Sequence, residues 1–173
     1  MDEIIDLLKY TVPSIITGAV AYLMINKMFQ QENRRHFAEV KKENLKYTTP
    51  VRLQAHERLM LLLERTDPVK VVNRVIKPGM TAKSMQLAII GEIKQEFDHN
   101  ITQQLYVSGK SWSEVIKAKD DAIKLVTVVA ASVDHSADAL DFSKALIKVQ
   151  AEQQFFTNLA AIEVIKKEIR KIY

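Results

Sequence analysis

Tyr10-Thr-Val-Pro-Ser-Ile-Ile-Thr-Gly-Ala-Val-Ala-Tyr-Leu-Met-Ile-Asn26 carries no charged side chain, and its 17 residues decide how the rest of the chain is read. As a helix rising 1.5 Å per residue it is about 26 Å long, a little short of a hydrocarbon core of about 30 Å. Leu7, Leu8, Met28 and Phe29 extend the apolar stretch, so residues 7–29 suffice to meet membrane lipid from one face to the other. Lys9 and Lys27 stand at its ends, where long amine side chains reach outward to headgroups. Tyr10 falls at interface depth, and Pro13 in the first turns, where a missing N–H costs least. The pattern predicts a membrane anchor over 1–30.

Other uses of such a segment fit less well. A cleaved signal peptide wants a basic start, and this one has Asp2, Glu3 and Asp6. Ala19-Val20-Ala21 resembles a cleavage site, but the apolar run continues through it. A surface-lying helix needs one strongly polar face, which is missing. A buried core helix has a similar length and is the competing reading. Orientation follows from basic residues. Lys9 alone precedes the segment, and Lys27, Arg34, Arg35, Lys41, Lys42 and Lys46 follow it. Cytoplasmic flanks carry the Lys/Arg excess. The expectation is a single-pass protein of the inner (cytoplasmic) membrane, N-terminus out and C-terminal domain cytoplasmic.

The net charge of +4 is unevenly spread. Residues 1–26 sum to −2, residues 27–46 to +3, and the C-terminal Lys166, Lys167, Arg170 and Lys171 outweigh Glu168. A basic cluster just after an apolar segment reads as attraction to anionic lipid, with Lys27, Arg34, Arg35, Lys41 and Lys42 as headgroup contacts. Nucleic acid is an unlikely partner, because no basic stripe with stacking aromatics appears. The absence of Cys removes disulfides, thiolate metal sites and Cys nucleophiles.

Beyond the anchor, Gly and Pro number four each, so helices should be long and loops few. Residues 31–49 predict a basic helical stalk, and 50–173 a helical bundle domain. Thr48 or Thr49 can cap a new helix with Pro50 at its first position. Leu59-Met-Leu-Leu-Leu63 is apolar nearly all round, which predicts a central, well-buried helix. Asp67-Pro68 opens a short helical turn ending at Lys77-Pro78-Gly79. Thr81 caps a helix over about 82–107, with Met85 or Gln86, Ile89, Ile90, Ile93, Phe97, Ile101 and Leu105 as its core stripe, stopped by Ser108-Gly109. Ser111-Trp-Ser-Glu114 is a capping box opening a helix to about Ser132, with Val115, Ile116, Ala122, Ile123, Val126 and Ala130 inward. Ser136 or Asp138 caps a last helical region, whose stripe includes Phe142, Leu146, Val149, Phe156, Leu159, Ile162, Ile165 and Ile169, with a kink or division at Thr157-Asn158. The predicted fold class is all-α: an N-terminal transmembrane helix followed by a four-helix-bundle-like domain.

Three segments carry a family likeness. Pro50-Val-Arg-Leu-Gln-Ala-His-Glu-Arg-Leu59, Glu96-Phe-Asp-His-Asn-Ile-Thr-Gln-Gln-Leu-Tyr-Val-Ser108 with Trp112, and Lys166-Lys-Glu-Ile-Arg-Lys-Ile-Tyr173 resemble an uncharacterised family of small bacterial proteins with one N-terminal transmembrane helix. The resemblance spans nearly the whole chain. It implies topology, a helical fold and the first two segments as functional regions, and it brings no catalytic residue.

Motifs that would carry chemistry are incomplete. Glu96-x-x-His99 has the spacing of a di-iron carboxylate bundle, but such a site needs two copies and two further carboxylates. At about 100° per residue, His99 falls about 170° and Glu96 about 110° from the centre of the core stripe. His56-Glu57 begins like a zinc-binding H-E-x-x-H, but residue 60 is Met. No nucleophile elbow or phosphate-binding glycine loop exists, and Asp120-Asp121 are neighbours that do not share a helix face. No cofactor, metal or catalytic residue is expected. Arg52, Glu96, His99, Gln103, Tyr106 and Trp112 are candidate partner contacts, since exposed aromatics beside planar polar groups suit protein recognition. The predicted function is a membrane-anchored, non-enzymatic interaction module, an accessory subunit or adaptor whose partner is a membrane protein or a second copy. The alternatives are a helical enzyme with a carboxylate/His metal site, or binding of anionic lipid or nucleic acid through the basic segments.

Overall fold

The computed structural model describes residues 2–152 and 158–171, with side chains from residue 11 onward. The expectations placed on the side chains of Leu7, Leu8, Lys9 and Tyr10, and on Phe156 and Thr157, lie outside the described residues. Every regular element described is helical: α1 (Asp2–Arg65), α2 (Pro68–Val75), α3 (Ala82–His99), a 3-10 helix (Ile101–Leu105), α4 (Gly109–Ala131), α5 (Ala139–Glu152) and α6 (Leu159–Ile169). A single β-bridge joins Thr81 to Asp138.

The chain divides into two compact units, residues 1–48 and 49–173. The first, from Asp2 onward, is helix alone. Every side chain from Thr11 to Thr48 is exposed. The helix does not restart at Thr48 or Thr49, as the capping signal predicts, but runs through Pro50. An interior proline usually costs about 3 kcal/mol, through its absent N–H and its ring. Here the carbonyl it leaves without a bond, that of Lys46, lies on exposed helix where water can serve it. Thr48 turns its hydroxyl back onto the Asn44 carbonyl instead of capping, 3.0 Å away.

The second unit holds two apolar cores, and α4 contributes to both. Its first half, Val115 and Ala118, packs with Leu59, Leu62 and Leu63 of α1 and with Ala161, Ile162 and Ile165 of α6. Its second half, Ala122 to Ala130, packs with Val71 and Val72 of α2, Met85, Ile89 and Ile93 of α3, and Phe142 and Leu146 of α5. Leu61 is 61% exposed, so the leucine run has one wet face and is not buried all round. Leu59, Leu62 and Leu63 already fill the one side that α4 and α6 cover.

Local signals place most boundaries. Asp67 accepts from the Val69 and Lys70 amides at the start of α2, and Thr81 from Ser84 at the start of α3. Gly79 takes φ 76° in the turn between them, a conformation only glycine adopts without strain. Asp138 rather than Ser136 opens α5, accepting from the Leu140 amide at 2.7 Å. Other boundaries differ from the expectation. The helix of 82–107 ends as α-helix at His99, because Asn100 folds its amide onto the Glu96 carbonyl at 2.9 Å and the chain continues as a 3-10 turn. The tighter winding throws Ile101 and Leu105 out of the core stripe, and both are exposed. Ser108-Gly109 begins a helix instead of ending one: Ser108 is the cap of α4, and Ser111 lies inside its first turn. Leu159, expected in the last stripe, is exposed at the first residue of α6.

Candidate functional site

The carboxylate of Glu168, near the end of α6, gathers polar groups from two other places in the second unit, the start of α4 and α1. The Ser108 amide donates to Oε1 at 2.9 Å and its hydroxyl to Oε2 at 2.5 Å. The Ser111 hydroxyl donates to the same Oε2. From α1, the Arg52 guanidinium lies 3.8 Å from Oε1, and His56 Nε2 lies 3.4 Å from it. Arg52 also donates through Nε to the Tyr106 carbonyl at 3.3 Å, tying α1 to the chain just before Ser108.

Local structure explains why these side chains meet. Arg52 and His56 are one helical turn apart and share a face. Ser108 and Ser111 are the cap and third residue of α4, so both hydroxyls sit at its N-terminus, where a negative charge is favoured. His56 is fully buried, and its Nδ1–H donates to the Arg52 carbonyl at 2.6 Å. Its Nε2 stands 3.4 Å from the carboxylate and makes no hydrogen bond to it. Burial pushes the Glu168 pKa up. The Ser108 and Ser111 hydroxyls, the Ser108 amide and the His56 charge together outweigh it, and the net shift is downward.

Serine, histidine and glutamate lie together here in an order unsuited to nucleophilic catalysis. A catalytic histidine takes the hydroxyl proton while the carboxylate orients its other nitrogen. In this cluster the hydroxyl bonds the carboxylate directly, and the imidazole stands behind it with Nδ1 committed to backbone. The arrangement fixes helices against one another.

The residues singled out from sequence fall into separate places. Arg52 and the Tyr106 backbone belong to the Glu168 cluster. Glu96 is largely covered and meets Arg65 Nε at 3.1 Å, although the stripe places it well away from the core. Trp112 stacks on Phe97 with ring centroids 5.4 Å apart, and Lys119 Nζ stands 4.6 Å from the Phe97 centroid. Gln103 is buried in the 3-10 turn, and His99 is exposed at the end of α3. Glu96 and His99 thus point to different surroundings. Among the described residues no three His, Asp or Glu side chains converge as a metal site.

The three segments that carry the family likeness converge on one carboxylate: Arg52 and His56 come from the first, Tyr106 and Ser108 from the second, and Glu168 from the third. A family of unknown function, DUF7935, matches residues 2–172. The chain belongs to that family. No curated protein and no solved structure matches it. In this DUF7935 chain His56 and Glu168 are members of the cluster that the sequence does not mark as candidate site residues. His56 reads as the start of an incomplete H-E-x-x-H and Glu168 as a lone acid in a basic tail. The available signal was their inclusion in the quoted segments.

A concavity of about 260 Å³ opens between the end of α1, α2 and α6. Leu63, Leu159 and Ile162 supply apolar lining and Glu64, Asp67 and Lys70 polar lining. Glu64 and Lys70 are paired, and the hydrogen bond to Glu64 leads the causes that raise the Lys70 pKa. Its charges are directed at each other.

Proposed function

We propose that this protein is a membrane-tethered, non-enzymatic interaction module. The first unit anchors it, and the second is a four-helix-bundle-like platform for a membrane-bound partner. The carrying observation is the bare apolar helix. From Thr11 onward α1 contains an 18-residue window of mean hydropathy 1.3, none of it buried by the protein. Val12, Ile15, Ile16, Leu23 and Ile25 are all exposed. That supports lipid as their solvent, since leaving so many apolar side chains in water is costly.

Lys27, Arg34, Arg35, Lys41 and Lys42 follow the apolar window, and all are exposed. They favour a cytoplasmic, anionic leaflet on that side and headgroup contact there. The second unit would then be cytoplasmic, at the inner membrane of a bacterial cell. Tethering confines the domain to the membrane surface and raises its effective concentration for a partner there. Glu168 and its donors support this reading as a clamp that keeps the platform rigid.

Alkaline carbonate extraction of native membranes tests the anchor. The expected result is a chain that stays in the pellet, and release of the intact chain would end the proposal. Because the sequence lacks Cys, single-Cys variants at Gln31 and Asp138 probed with an impermeant maleimide read orientation. Cross-linking in mild detergent followed by mass spectrometry then identifies the partner.

A further inference from the structure

We propose that a second copy of this chain pairs with the first unit of α1, parallel and in register, along one face between Ile16 and Tyr47. The pairing deepens the membrane-tether reading and rests on it for holding two copies side by side with the same orientation. Positions 16, 19, 23, 26, 30, 33, 37, 40, 44 and 47 alternate in steps of three and four, the spacing of a coiled-coil seam. The six basic and three acidic residues between Lys27 and Lys46 all fall off those positions.

A parallel, in-register pair sets each seam residue opposite its own copy. A charge there would meet the same charge, whereas an amide both donates and accepts and is its own complement. The polar residues on the seam are Asn26, Gln30, Asn33 and Asn44, all amides. Between and beyond them stand Leu23, Phe37, Val40 and Tyr47. Phe37 is 77% and Tyr47 71% exposed, although each is a large apolar surface within a highly charged stretch. A polar amide in such a seam specifies register at a cost in stability.

The flanks are complementary as well. Tyr22, Phe29 and His36 recur every seven residues on one side, and Lys27, Arg34 and Lys41 on the other. In a parallel pair the first row of one copy meets the second row of the other, five residues further on. Tyr22 then meets Lys27 and Phe29 meets Arg34, each a cation against an aromatic ring. The third pair, His36 with Lys41, adds no complementary contact, and Glu43 with Thr48 follows it. A partner that supplies both of the first two pairs at this phase is the chain itself.

Single-Cys variants of the full chain, oxidised in native membranes, test the pairing against a background free of cysteine. Asn33→Cys, Phe37→Cys, Val40→Cys and Asn44→Cys should give disulfide-linked dimers. Glu32→Cys, Arg35→Cys and Lys42→Cys, on the far face, should give about fivefold less or lower, since bridging needs Cα atoms within about 7 Å. In the Val40→Cys background, Asn44→Glu should cut the dimer about fivefold by setting like charges together, and Lys42→Glu should not. A yield with no seven-residue period, or one peaking on the far face, overturns the pairing. Carbonate extraction of the same membranes reads the anchor separately. Release with the period intact sinks the anchor and upholds the pairing; retention with a flat profile sinks the pairing alone.

Discussion

His56 Nε2 and Glu168 Oε1 lie 3.4 Å apart, joining a fully buried position on α1 to the last turn of α6 across more than one hundred residues of sequence. Glu168 itself is only 13% exposed, and its two oxygens serve Ser108, Ser111, Arg52 and His56 together. Removing one member of such a group strands the others. Glu168→Ala should therefore destabilise the second unit by about 2–4 kcal/mol, and Glu168→Gln, which keeps the shape and loses the charge, by about 1–2 kcal/mol. Urea unfolding of the detergent-solubilised chain measures both. A loss under about 0.5 kcal/mol for Glu168→Ala would show that the cluster does not hold the helices.

The same carboxylate makes stability depend on pH. Its folded-state pKa is held below the ordinary 4.5. Its contribution is thus complete above that value and is lost as pH falls through 4.5 toward the folded value. The stability gap between wild type and Glu168→Gln should narrow as pH falls below about 4.5. A gap that widens as pH falls from about 4.5 would reverse the assignment.

Ser108 and Ser111 should separate. Ser108 caps α4 and donates twice to Glu168, whereas Ser111 donates to it once. Ser108→Ala should cost about 1–2 kcal/mol and Ser111→Ala about 1 kcal/mol. A double-mutant cycle of Ser111→Ala with Glu168→Gln should give a coupling of about 0.5–1 kcal/mol, and additive losses would count against the contact.

Asn158 closes the end of α1. Its amide donates to the Leu63 carbonyl, one of the last four carbonyls that lack a partner within the helix. Asn158→Asp sets an acceptor against an acceptor and should cost more than Asn158→Ala, about 2 against about 1 kcal/mol. Equal losses would mean that the donor role is not used.

Trp112 is the chain's one tryptophan and reports on the smaller core. Trp112→Ala removes the Phe97 stack and should cost about 3 kcal/mol, with Trp112→Phe losing less than half of that. In the wild type, the red shift of its emission in urea should coincide with loss of helix by circular dichroism; an earlier shift would mean that this core opens before α3 and α5.

Periodicity and capping residues marked the helical elements because both act within a few residues. Asp67, Thr81 and Asp138 open helices as their side chains require, and Phe142, Leu146, Ile162 and Ile165 face inward as spacing dictates. The reading failed where a local signal met a stronger neighbour. Ser111-x-x-Glu114 reads as a capping box, but Ser111 spends its hydroxyl on Glu168 and Ser108 takes the cap. Pro50 reads as a start, but the exposed helix carries on through it.

The sequence by itself determined an all-helical chain with one long, uncharged N-terminal segment, because helix period, caps and the absence of charge are properties of adjacent residues. Only the tertiary structure decided that α4 divides between two cores, that Leu61, Ile101, Leu105 and Leu159 stay outside them, and that Glu168 is a hub. The physical reason is distance along the chain. His56, Ser108, Ser111 and Glu168 owe their surroundings to helices folded together from separate segments, and no local spacing records which polar groups will share a buried place.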